Sequence, residues 1–136
     1  MKELVYGDEF YEFSVDISKN RLYKALRGVW DDVSIARQYL KHNKESLDRL
    51  QPGFTSFVDL RESEMPSEAV LEEMLEIFVE ATRYSEELGM RKQAQIIKME
   101  TKDQRAAARE VMKDSGIDQK VIQFDDPVEA EKWLDM

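Results

Sequence analysis

The stretch from Pro52 to Gly89 limits the fold more than any other part of this chain. Pro52-Gly53 reads as a turn, Phe54 to Arg61 as a strand, Glu62 to Met65 as a short loop, and Pro66 to Leu88 as a long helix. Proline fits the first helical turn, where its missing N–H has no partner to lose and its φ is already helical. Val70, Met74, Ile77, Phe78, Ala81 and Leu88 recur at helical spacing, with Leu71 and Leu75 widening the stripe. Gly89 then closes the helix in a left-handed cap. A strand answered at once by a long one-faced helix is the repeating unit of a parallel α/β sheet.

In open α/β sheets, ligands and partners meet the chain beyond the carboxyl ends of the strands. The segment from Arg61 to Ser67 is therefore the first candidate for a functional surface. Asp59 stands near the strand end, Arg61, Glu62, Ser63 and Glu64 follow, and Ser67 lies in the opening helical turn. Asp59, Arg61, Glu62, Ser63 and Ser67 are the candidate partner-binding or regulatory residues. The plain alternative is a solvated, charged connection.

Upstream, residues 10 to 17 alternate. Tyr11, Phe13, Val15 and Ile17 share one face and Glu12, Ser14 and Asp16 the other, the pattern of a half-buried strand. Ser18-Lys19-Asn20 turns the chain into a second strand, Arg21 to Val29, and the two form a hairpin. Asp31 or Asp32 caps a helix whose inner face reads Val33, Ala36, Leu40, Leu47 and Leu50. Downstream, Arg91 to Met99 suits a buried parallel strand. Thr101-x-x-Gln104 opens a third helix that Gly116 stops. Lys120 to Phe124 is a last strand, and Asp126-Pro127-x-Glu129 caps a final helix carrying Val128, Ala130, Trp133 and Leu134. The expectation is one α/β domain over residues 1–136, ordered ββαβαβαβα: a five-stranded mixed sheet with an N-terminal antiparallel hairpin and four helices.

The chain of 136 residues has 29 acidic and 20 basic side chains and a net charge of −9, a balance that disfavours nucleic-acid backbones. It has no cysteine, which excludes disulfides, thiol catalysis and thiolate metal sites. Its first residues lack a signal-peptide core and no apolar run is long enough to span a membrane, so a cytoplasmic protein is expected.

With the elements in order, the chain resembles a STAS-type domain, the fold shared by sulfate transporters and anti-sigma-factor antagonists, and most of all the stand-alone SpoIIAA-like proteins. The resemblance covers nearly the whole chain. It rests on the element order, on Asn20-Arg21-Leu22 with Gly28-Val29-Trp30-Asp31, on Phe57-Val58-Asp59-Leu60, and on Phe124-Asp125-Asp126-Pro127 with Ala130 and Trp133-Leu134. It implies a non-enzymatic regulatory or interaction module that binds a protein partner or a second copy of itself. Phospho-regulated members carry an Asp-Ser-Ser-Gly turn where this chain reads Glu64-Met65-Pro66-Ser67-Glu68. The similarity of that family to the lipid-carrying CRAL-TRIO fold implies the alternative, a carrier of a small apolar ligand.

No other chemistry outweighs its ordinary reading. His42 is the only histidine and sits among Lys41, Asn43, Lys44 and Glu45, which reads as an exposed helix surface. Asp59, Glu62 and Glu64 have the composition of an acid–base or cation pair, but no spacing that requires one. There is no glycine-rich phosphate loop, so neither a nucleotide nor a metal cofactor is expected. Met65, Met74, Met90, Met99 and Met112 suit either an adaptable groove or core filling.

Overall fold

The computed structural model describes residues 1–64, 67–98 and 120–136. Within them the chain forms six strands and three helices: β1 (Glu3–Gly7), β2 (Tyr11–Asp16), β3 (Arg21–Val29), α1 (Val33–Leu47), β4 (Thr55–Glu64), α2 (Glu68–Glu87), β5 (Lys92–Ile96), β6 (Val121–Phe124) and α3 (Pro127–Asp135). The expected helix opening at Thr101 lies outside the described residues.

The strands form one mixed sheet in the order of the chain, β1 to β6. β1, β2 and β3 are antiparallel neighbours, and β3 to β6 run parallel. The sheet thus has six strands rather than the expected five. Glu3 to Gly7 was not readable as a strand because it has no alternation: Glu3 and Leu4 are exposed, Val5 and Tyr6 both half-buried, and the register slips between Leu4 and Tyr6. Consequently β1, and not the β2–β3 hairpin, supplies the antiparallel edge.

A sheet that advances in one direction through crossovers of one hand places its crossover helices on one face. α1 and α2 obey this and pack on each other. Beneath them lies the main core of Tyr11, Phe13, Val15, Leu22, Leu26, Trp30, Tyr39, Val58, Met74 and Ile77. α3 covers the opposite face over β4 to β6, where Ala94, Ile96, Ala130 and Leu134 are buried with Phe57, Phe124 and Trp133 around them. Arg21, itself buried, ties this helix down: its guanidinium donates to Thr55 at 2.7 Å, to Asp135 at 2.8 Å and to Glu131.

Several inner faces differ from the spacing argument. Ile17 is 56% exposed, while Asp16, expected on the wet face, is buried and accepts from Ser18 at 2.6 Å and from the Lys19 amide at 3.2 Å. The buried stripe of α1 is Ala36, Tyr39, Asn43, Ser46 and Leu47, with Val33, Leu40 and Leu50 only partly covered. On α2, Thr82 and Ser85 are buried whereas Leu88 lies at the exposed end. On α3, Val128 faces solvent. The caps agree with expectation: Asp32 accepts from the Ser34 amide and Asp126 from the Val128 amide, both at 2.9 Å. Gly89 adopts φ +99°, and a Cβ there would stand 2.9 Å from that of Pro52, so the end of α2 and the Pro52-Gly53 turn touch through glycine.

Candidate functional site

The candidate surface is part of β4 rather than a loop. β4 runs on through Glu64, because Arg27, Gly28 and Val29 of the equally long β3 pair with Glu62, Ser63 and Glu64. Between the Ala25–Asp59 and Arg27–Glu62 pairs β4 carries one extra residue. Such a bulge shifts the alternation of faces. It brings Asp59, Arg61 and Glu62 to the face opposite α1 and α2, beside Tyr23, Arg27 and Phe57, in a broad concavity of about 670 Å³. Arg61 Nε and Nη2 donate to Asp59 Oδ1 and Oδ2 at 3.0 and 2.7 Å, and Glu62 lies 3.5 Å from Arg27. Burial raises the Asp59 pKa, but the Arg61 hydrogen bonds outweigh it and hold the carboxyl below its usual range.

The five candidate residues do not converge. Ser63 turns to the helix-covered face, and Ser67 caps α2 without a side-chain bond. Arg61 is occupied: it forms a fork with Asp59. Among the described residues no three acidic or histidine side chains converge on a possible metal position.

The helix-covered face holds a different arrangement. Period-two alternation along β3 puts Leu22, Lys24 and Leu26 on one side, so a lysine enters the core between two leucines. Lys24 is 5% exposed. Its ammonium donates to Tyr39 Oη at 2.8 Å and to Asn43 Oδ1 at 3.1 Å, both on α1. Among the described residues no carboxylate stands within ion-pair distance of it. Burial without a counter-charge drives the Lys24 pKa down to about 7, and burial also pushes Tyr39 above its ordinary value.

Beside Lys24 lies a cavity of about 90 Å³ between the sheet and α2. Its apolar wall is Leu26, Val58, Leu60, Leu71, Met74 and Phe78, and its polar wall includes Gln93 and Gln95 of β5. Gln93 is 3% exposed, and among the described residues its Oε1 has no hydrogen-bond partner. Buried polar atoms are nearly always paired, by protein or by something bound. A cavity with one buried cation, one orphaned acceptor and apolar walls is built like a small-molecule site, in which a few polar groups orient a ligand held by apolar surface.

No family model, curated protein or solved structure matches this chain. Sequence reasoning passed over Lys24, Tyr39, Asn43 and Gln93. Signals for two of them were present, a lysine between inward leucines on β3 and a glutamine at every second place on β5. His42 was expected on an exposed surface; instead it is half-buried, stacked on Tyr6 with centroids 3.7 Å apart and 2.8 Å from Tyr11 Oη through Nδ1. β1 caused that difference by laying Tyr6 beside α1. Met74 and Met90 are core residues, each 1% exposed, rather than a groove.

Proposed function

We propose that the chain is a non-enzymatic regulatory module of the STAS-like type whose input is a small molecule held between the sheet and α2. One observation carries the binding reading: Lys24 is buried against an apolar cavity with only neutral partners among the described residues. An unpaired buried cation costs several kcal/mol and is retained in proteins chiefly where something uses it. The STAS-like part is supported by the expected opening, an antiparallel pair followed by strand–helix–strand units in parallel array. At about 90 Å³ the cavity is far below the several hundred Å³ of a drug-sized site, which favours a small occupant over a whole lipid. A fragment screen followed by amide chemical shifts tests the reading. Hits should perturb residues around Lys24, Tyr39, Met74 and Gln93 and be lost in Leu75→Trp, which fills the cavity. Hits that map only elsewhere, or that bind the filled variant equally, would refute it.

A second reading, self-association through the open face of the sheet, is favoured by the bulge. It gathers Arg27, Asp59, Arg61 and Glu62 on one exposed surface carrying both signs of charge. A two-fold interface must be self-complementary, and mixed charge permits this. Sedimentation equilibrium of wild type and Arg61→Glu decides it: identical masses at all concentrations would remove this reading.

A further inference from the structure

We propose that the cavity beside Lys24 takes a short monocarboxylate, with a carboxylate oxygen on Nζ and an alkyl end against Leu60, Met74 and Phe78. This rests on the reading of the cavity as a binding site and adds the class of its ligand. An ammonium has three N–H donors, and Tyr39 and Asn43 accept two. Both acceptors are neutral, so the third donor and the whole charge call for an anion. A single positive charge in an apolar wall matches a single negative one; a second would be buried without compensation.

Size and shape narrow the class further. A cavity of about 150 Å³ accommodates benzene, with six heavy atoms. About 90 Å³ therefore holds roughly four or five, the size of acetate or propionate. Sulfate and phosphate are similar in size, but oxygen on every side would leave polar atoms against Val58, Leu60 and Phe78. Gln93 is a separate observation. Gln93 and Gln95 line the cavity along with Lys24, so its wall is not the purely apolar one of a dry packing defect. Besides Lys24, the titratable lining among the described residues is Tyr39 and Glu64. Glu64 is exposed, and its negative charge opposes a dianion about twice as strongly as a monoanion.

The low Lys24 pKa gives the site a signature in wild-type protein. Above neutral pH the amine must take up a proton for a carboxylate to bind. The dissociation constant should then rise about tenfold for each pH unit. The test is titration of the isotope-labelled full chain with sodium propionate at pH 6.5, 7.5 and 8.5, at ionic strength held constant with chloride. Propionamide, neutral and of the same shape, is the control. The expected result is saturable one-to-one binding of propionate with shifts at Lys24, Tyr39 and Gln93, weakening about tenfold from pH 7.5 to 8.5, and lost in folded Lys24→Met. Propionamide should bind at least tenfold more weakly. Equal binding of propionate and propionamide with the same shifts would overturn the carboxylate class and leave the cavity reading standing. No saturable binding of either probe, with waters alone in the cavity, would overturn both.

Discussion

Replacing Lys24 by methionine should change how stability depends on pH more than it changes stability itself. Methionine keeps the length of the lysine stem and removes the charge. In the wild type the Lys24 pKa lies near 7 in the folded chain and at the ordinary 10.5 in the unfolded one. Between those values the unfolded state binds the extra proton, so stability rises with pH, by about 1.4 kcal/mol per unit. From pH 6 to pH 10 the gain is about 4 kcal/mol, and Lys24→Met lacks it. The substitution also removes the hydrogen bonds to Tyr39 and Asn43, at about 1 kcal/mol each. The variant should therefore be more stable than wild type by about 3 kcal/mol at pH 6 and less stable by about 1 kcal/mol at pH 10, with the curves crossing near pH 9. Urea unfolding followed by the fluorescence of Trp30 and Trp133, at five pH values and constant ionic strength, measures this directly. Groups that titrate alike in both proteins cancel in the difference. Two stability curves that run parallel from pH 6 to 10 would show that Lys24 holds its proton as readily in the folded chain as in the unfolded one, and the argument for a desolvated amine at its site would fall.

The anchoring of α3 gives two further tests. Leu134→Ala should cost about 2–5 kcal/mol, because Leu134 is fully buried, and Trp133→Ala less, because its ring is only partly covered by Phe124 and Lys92; equal or reversed losses in urea would refute this ranking. Arg21→Met should cost about 3 kcal/mol and expose α3 first, since the guanidinium joins it to β3 and β4 through Glu131, Asp135 and Thr55; amide exchange in α3 unchanged from wild type would sink the idea. Gly89→Ala should cost about 1–3 kcal/mol through its left-handed φ, with more from the Pro52 contact; an unmoved thermal midpoint would show that the turn yields freely.

Period and punctuation in the sequence located most elements, and the reasons for the exceptions are physical. β2, β3, α2 and α3 were legible because apolar spacing and capping residues agree along them, as at Asp126-Pro127. β1 was not, since an edge strand with no buried side chain has no period to display. The length of β4 was hidden by its charge: Glu62 to Glu64 look like a loop, yet they pair with β3 beyond the core. The inner face of α1 was misplaced because Tyr39, Asn43 and Ser46 face inward to meet Lys24 and the sheet, while Leu40 and Leu50 lie at the flanks. The candidate site was missed for the same reason. Charged residues in a strand are read as its wet face, and the one local mark against that reading of Lys24, its place between Leu22 and Leu26, was outweighed by its charge.

The sequential strand order bears on how the chain comes together. Each strand finds its hydrogen-bonded neighbour in the strand made just before it. Among the described residues no strand waits for a later segment to be inserted between it and its partner, as happens in sheets whose order reverses. During synthesis the edge can grow one strand at a time from the N-terminus, with α1 and then α2 closing over each addition. Ion pairs that reach back to the start of the chain, from Glu131 and Asp135 to Arg21, belong to the last helix. They can form only after the whole sheet exists, and so act as a latch on a finished product.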